Sequence, residues 1–363
     1  MKIAFYGSSL LSAYWNGAAT YYRGMLRALS EKGYDITFYE PDVYDRQKNR
    51  DIDPPDWCRV VVYDGTVEAL KQVTAEAAKA DIVVKASGVG FEDNLLLEEI
   101  LRWARPNALK IFWDVDAPAT LAELRETPDH PLHHALQSID LVLTYGGGDP
   151  VVNAYRQMGA RECIPIYNAL DPHTHHPVPP QHRFQGDLGF LGNRLPDREA
   201  RVEQFFLEPA ARTPGQRFLL GGSGWGDKPM ASNIAYLGHV GTADHNAFNV
   251  TPKAVLNISR ESMAKNGFSP ATRVFEAAGA GACLITDFWE GIELFLKPDE
   301  EVLVARDGHD VAQIMAELTP ERARRIGQAA LGRVLNEHTY TRRAVEADQI
   351  FRSFMQSQIE AAE

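Results

Sequence analysis

Short apolar runs alternate with amphipathic stretches along almost the whole chain. The first run, KIAFYG, ends in glycine and predicts a buried parallel strand. A loop with Asn16 and Gly17 follows. In AATYYRGMLRALSEKG, Tyr22, Met25, Leu26 and Leu29 recur at helical spacing, and Gly33 stands where a C-cap belongs. DITFYEP reads as the next strand, completing a strand–helix–strand unit of the kind that builds doubly wound sheets. The alternation continues. ADIVVKAS (80–87), ALKIFWDVD (108–116), IDLVLTYG (139–146) and ECIPIYNAL are strand candidates. DNLLLEEILRWARP (93–106), HPLHHALQS (130–138) and DPVVNAYRQMGA are the helices between them.

After Asp171 the periodicity stops in DPHTHHPVPPQHRF, whose proline and histidine content suggests a linker over 171–183. A second alternating series then runs through DLGFLGNR, REARVEQFFLEPAAR, QRFLLGG, NIAYLGHV, AVLNISR and ACLITD to a helix-rich end. Two α/β domains of similar size are expected, 1–170 and 184–337, with a cleft between them, followed by a last segment at 338–363.

Composition narrows the function. The 363 residues suit about two domains at roughly 150 residues each. A net charge of −12 argues against non-specific nucleic-acid binding, which needs a cationic face. Cys58, Cys163 and Cys283 are too scattered for a disulfide framework or a structural zinc site. The N-terminus lacks the apolar run of a signal peptide, and no stretch approaches the roughly 20 apolar residues that span a bilayer. A soluble, cytoplasmic protein is expected, with peripheral membrane contact left open.

The densest chemistry lies in GFSPATRVFEAAGAGACLITD, from Gly267 to Asp287. Ser269 and Pro270 suit a helix start, as cap and first-turn residue. On that helix Val274, Phe275 and Ala278 face a sheet, while Ser269, Arg273, Glu276 and Ala280 share another face. A helix N-terminus attracts anions, Arg273 adds a charge-assisted phosphate contact, and Glu276 can accept from both hydroxyls of a ribose. The competing reading is an ordinary Arg–Glu pair on an amphipathic helix.

The stretch RVFEAAGAGACLITDFWEGIELFLKPDEEVLVARDG, with Arg273, Phe275, Glu276, Ala277, Gly281, Thr286, Asp287, Gly291, Glu293 and Glu301 at its marked positions, resembles the C-terminal domain of GT-B glycosyltransferases. It is most similar to the group typified by the spore maturation protein CgeB. Weaker likeness extends through LGFLGNRLPDREAR, GGSGWGDK, YLGHV and the helical tail. The resemblance implies the GT-B fold, two Rossmann-like doubly wound domains facing a central cleft, and a last helix that crosses back onto the first domain. It also implies a nucleotide-sugar donor in the second domain and an acceptor in the first. Many retaining members carry two glutamates eight positions apart; the second corresponds to Glu276, whereas the first falls at Phe268, so retention of configuration does not follow.

Further candidates surround this segment. Asn193, Arg194 and Arg198 follow a strand in a glycine-bearing turn that the resemblance points at the donor diphosphate; Arg198 reads equally as a first-turn helix charge. Trp225, between Gly224 and Gly226, offers a face for the donor base or else anchors its loop. Gly238, His239 and Val240 line the base pocket by resemblance. Arg260 and Lys265 precede the helix as phosphate contacts or solvated charges. In the first domain Asp116, ahead of Asp114, ends a strand where a carboxylate can deprotonate an acceptor hydroxyl, or cap a turn. Asn16 and Gly17 border the cleft by resemblance. His173, His175 and His176 read as solvated linker residues, and His130, His133 and His134 lack a zincin-type glutamate, so no metal site is expected.

The expected activity is metal-independent hexosyl transfer from a nucleotide-diphosphate sugar, with UDP favoured, to a hydroxyl of a glycan or small molecule. Helix amides and arginines would hold the leaving diphosphate, and no other cofactor is expected. A sugar-nucleotide epimerase and a non-catalytic binding protein of the same fold are the rivals.

Overall fold

The computed structural model describes residues 1–362. The chain divides into two compact units, each built on a wholly parallel sheet: Met1–Tyr167 with the segment from Tyr340 onward, and Asn168–Thr339.

The first unit contains β1 (Lys2–Tyr6), β2 (Asp35–Asp42), β3 (Arg59–Asp64), β4 (Ile82–Ala86), β5 (Leu109–Asp114), β6 (Leu141–Thr144) and β7 (Cys163–Pro165), in the order β3-β2-β1-β4-β5-β6-β7. Chain order reverses between β1 and β4, the place where open α/β sheets leave a crevice beyond their strand ends. β4 is buried at every position, as expected of a strand covered on both faces. The edge strand β3, RVVVYD, has only one fully buried residue. Helix Tyr340–Ala362 belongs to this unit and packs on helix Ala18–Glu31. The Tyr340 ring occupies the space beside Gly24, where an added Cβ would meet it at 2.1 Å. Tyr34 donates to Asp348 at 2.7 Å, and Phe351 meets Trp113 edge-on.

The second unit repeats the winding with β8 (Leu188–Leu191), β9 (Phe218–Gly221), β10 (Ile234–Gly238), β11 (Ala254–Asn257), β12 (Leu284–Asp287) and β13 (Leu303–Ala305), ordered β10-β9-β8-β11-β12-β13. Its switch point lies between β8 and β11. Phe190, Phe206, Phe218, Trp225, Leu256 and Ile285 are among its fully buried core. The segment 171–183, expected as a linker, is part of this unit: His175 is buried, and Asn246 donates to the Thr174 carbonyl at 2.9 Å. The glycines of AAGAGAC are packing devices. A Cβ at Gly279 would strike Leu170 at 2.3 Å, and Gly281 adopts φ +79° directly after the helix. No helix among the described residues is long and apolar enough to cross a membrane.

Candidate nucleotide-diphosphate site

The candidate site gathers at the C-terminal ends of the strands in the second sheet. The loops after β8, β9 and β10 run side by side and are stitched by backbone. The Arg194 amide donates to Ser223 O at 2.9 Å, and Gly222 N donates to Gly238 O at 2.7 Å. Asn193 joins them through its side-chain oxygen, which accepts from Ser223 N at 2.9 Å. Gly222 is required here: its φ is +117°, and a Cβ would lie 2.2 Å from the Gly192 carbonyl. Gly238, at φ +67°, has open space where its Cβ would point, so the backbone after β10 is approachable by a ligand.

Trp225 does not present a face to that space. Its side chain is fully buried in the core of the unit, and Nε1 donates to Gly192 O at 2.8 Å. The base-stacking expectation is therefore corrected. The glycines that flank it bend the chain inward, so that the indole anchors its own loop to the β8 loop.

The arginines are also redistributed. Arg194, the stronger phosphate candidate from sequence, is held between Glu199 (2.8 Å) and Asp227 (2.9 Å), and these carboxylates keep its guanidinium above its ordinary pKa. Its charge is already neutralised. Arg198 and Arg273 instead converge on the ring of Phe190 in β8, with guanidinium carbons 5.8 and 5.5 Å from the ring centroid. Arg198 donates to the Asn193 carbonyl at 2.6 Å, and among the described residues neither arginine forms an ion pair. Burial, then the neighbouring Arg273 charge, pulls Arg198 down to about 10. Burial likewise lowers Arg273, and Glu276 opposes that shift. Two adjacent, half-buried and unneutralised cations form a site that an anion would stabilise.

Arg273 and Glu276 lie on helix Thr272–Gly279, which begins two residues later than expected from a Ser269 cap. Its N-cap is Ala271, in extended conformation and without a side-chain cap. Ser269 is buried, and its hydroxyl has no partner. The approach to the helix is unusual: Gly267 and Phe268 have φ of +69° and +48°, and the Phe268 ring lies over Gly291. A left-handed phenylalanine is a costly conformation that clusters at functional loops. Lys265 lies off this face, exposed and paired with Glu261 on helix Glu261–Asn266. Arg260 pairs with Asp197.

Asp287 at the end of β12 is a structural carboxylate. It accepts from the Ser259 amide and hydroxyl at 3.1 Å and from Arg201 at 2.6 Å, while burial raises its pKa. It ties the β11 and β12 loops together across the switch-point side of the sheet.

The pocket wall after β10 consists of exposed His239 and buried Val240, whose carbonyl faces His245 Nε2 at 3.3 Å. His245, His175 and Glu276 form a cluster in which a potential ligand atom from each lies within 4.8 Å of the others. Sequence reasoning missed His245, which sits in HNAFNV without any spacing signal, and placed His175 in a solvated linker.

In the first unit Asp114 is fully buried. It accepts from Ser87 (2.7 Å), Thr120 (3.0 Å), the Asp116 amide (3.0 Å) and Tyr155 (2.5 Å). With these donors spent on it and no access to solvent, it cannot serve as a base, which corrects that candidate. Asp116, half-buried, begins helix Ala117–Glu126 without capping it through its side chain. The Asn16 amide is consumed within its own loop, donating to Ser9 O and Ser12 O and accepting from Ser8. It shapes the β1 loop and has no donor left for a ligand. Gly17 is exposed at the start of the following helix.

Residues 198–349 match the family model described as glycosyl transferase-like. No curated protein sequence matches the chain. Among solved structures, sucrose-phosphate synthase from Thermosynechococcus elongatus is similar at TM-score 0.68 and 14% identity, with 100% of both chains covered. HepE from Anabaena, in complex with UDP and glucose, is similar at TM-score 0.68 and 13% identity, covering 97% of this chain and 100% of that one. An alpha-glucosyltransferase in complex with UDP-glucose and DNA containing an abasic site gives TM-score 0.70 at 11% identity, covering 97% and 99%. The fold is that of GT-B glycosyltransferases, two Rossmann-like domains with parallel sheets, and residues 198–349 are similar to a glycosyl transferase-like family.

Proposed function

We propose that the protein is a glycosyltransferase that moves a hexosyl group from a UDP-sugar to a hydroxyl of a glycan or small-molecule acceptor. The observation that carries this reading is the pair Arg198 and Arg273, unneutralised over Phe190 beside an approachable strand-end backbone. The family match over the same residues and the UDP complexes among the structural neighbours support it. Within the family, the marked residues from Arg273 to Glu301 favour the CgeB-like group.

In the proposed step the acceptor oxygen bonds to the anomeric carbon while the bond from that carbon to the diphosphate oxygen breaks. The acceptor proton passes to Asp116, and the electron pair leaves on the diphosphate. Arg198, Arg273 and the first amides of helix Thr272–Gly279 stabilise that charge, so the chemistry needs no metal. Glu276 accepts from the ribose hydroxyls, and the Gly238–Val240 segment supports the base. The enzyme works in the cytoplasm on this reading, with peripheral membrane contact open to acceptors there.

Incubation with UDP-, GDP- and dTDP-sugars tests the reading. UDP release, raised by a hydroxyl acceptor, is expected; an isomerised sugar without acceptor would identify an epimerase, and no turnover of any donor would reject the enzyme. Glu276→Ala is expected to keep the fold and weaken UDP by about 1.5–3 kcal/mol, the scale of hydrogen bonds to a charge. Calorimetry with UDP and 2′-deoxy-UDP checks this, since the variant should no longer distinguish them. Asp116→Asn is expected to lower turnover about a hundredfold with donor affinity kept, as for loss of a general base. Full activity would remove Asp116 from that role.

A further inference from the structure

His175, His245 and Glu276 come from three separated segments of the second unit: the turn 171–175, the start of helix His245–Val250, and the middle of helix Thr272–Gly279. They are drawn together by the fold, not by sequence spacing. The hydrogen bonds around the two rings fix where their lone pairs lie. The Thr174 hydroxyl donates its single proton to Asp171 O at 3.2 Å, so its oxygen accepts from His175 Nδ1–H at 3.0 Å. His175 Nε2 then carries the lone pair, and it is buried without a hydrogen-bond partner. His245 Nε2 faces the Val240 carbonyl, which can only accept, so Nε2 is the N–H and Nδ1 carries the lone pair. Orienting an imidazole through its other nitrogen is how proteins prepare histidines for a metal. Burial also pushes the His245 imidazolium below its ordinary pKa, favouring the neutral ring that a metal needs.

We infer that His175, His245 and Glu276 form a binding site for Zn²⁺ or a similar borderline transition cation, and that this cation competes with the nucleotide for the Glu276 carboxylate. Two imidazoles and one carboxylate suit zinc with a fourth position left for water. A possible ligand atom from each residue lies within 4.8 Å of the others, against a spacing of about 3.4 Å set by tetrahedral Zn–N and Zn–O bonds. The competition rests on the proposed ribose role of Glu276; the metal site itself does not. The cation would act as an inhibitor, since a carboxylate bound to it is unavailable to ribose hydroxyls.

Calorimetric titration of Zn²⁺ into the chelator-treated full chain should show one site. His175→Gln and His245→Asn keep size and polarity, so folding, checked by thermal melts, is preserved; each should lower Zn²⁺ affinity at least tenfold. Saturating UDP should weaken Zn²⁺, and Zn²⁺ should weaken UDP by the same factor. The absence of a zinc site, or a zinc affinity unchanged in both histidine variants, overturns the inference. Zinc affinity unaffected by UDP overturns the competition. UDP titrated into the metal-free chain separates the two readings: nucleotide binding without a zinc site rejects only the metal, whereas zinc binding without nucleotide binding rejects the donor reading and with it the competition.

Discussion

Replacing both Arg198 and Arg273 with alanine is expected to weaken UDP binding by about 3–6 kcal/mol, taking each charged contact at about 1.5–3 kcal/mol. Each single variant should lose about half of this, and the loss should shrink for uridine, which lacks the diphosphate. The same substitutions should not lower the stability of the nucleotide-free protein. A cation with a folded-state pKa below its unfolded value destabilises the fold wherever it is protonated in both states. For Arg198 that holds below about 10, and the cost fades as pH rises from there toward the ordinary arginine range. Arg198→Met should therefore leave the melting temperature of the free protein unchanged or raised at neutral pH while reducing UDP affinity. A protein that melts lower and binds UDP as before would mean that the pair is structural. Arg194→Ala provides the contrast. It breaks ion pairs with Glu199 and Asp227, so its effect should fall on the stability of its loop more than on the nucleotide.

Trp225→Ala is expected to destabilise the second unit by about 3–5 kcal/mol, the range for removing a large aromatic side chain from a packed core. The indole is fully buried with Phe205, Phe206 and Phe218 in the same cluster, and its loss also orphans the Gly192 carbonyl. Trp225→Phe should restore most of the packing and forfeit about 1 kcal/mol for the missing hydrogen bond. Denaturant unfolding measures both. Because the indole holds the β9 loop against the β8 loop, nucleotide affinity should fall only in proportion to loss of folded protein. Had the indole stacked on a base, alanine would weaken UDP strongly at little cost to stability; that result would contradict the packing.

The contrast between these residues shows what was legible in the sequence. Buried strands such as KIAFYG and ACLITD stand out because a strand covered on both faces must be apolar throughout. The edge strand β3, RVVVYD, also carries an apolar run, but its residues are half-buried or exposed with one exception, and it is absent from the strands expected above. Arg273 and Glu276 were placed on one helix face by spacing alone, and the fold keeps both half-buried there. The choice between Arg194 and Arg198 was not legible. It depends on Asp227, which reaches Arg194 from a loop more than thirty residues away, and on Phe190, which lies beneath Arg198. Trp225 misled because a glycine-flanked tryptophan looks exposed, while Gly222 and Gly224 bend the loop inward through positive φ. Asp114 and Asp116 are two residues apart, yet Asp114 is the buried last residue of β5, whereas Asp116 lies beyond the strand at the start of helix Ala117–Glu126 and is half-buried. The cluster of His175, His245 and Glu276 is purely tertiary: seventy residues separate the histidines, and no local pattern links them.

The most direct test of the central claim is calorimetric titration of UDP and of uridine into the metal-free wild-type protein. A single UDP site is predicted, with uridine bound far more weakly because Arg198 and Arg273 have no diphosphate to neutralise. No binding of UDP at millimolar concentration, or uridine bound as tightly as UDP, would contradict a nucleotide-diphosphate site at these arginines.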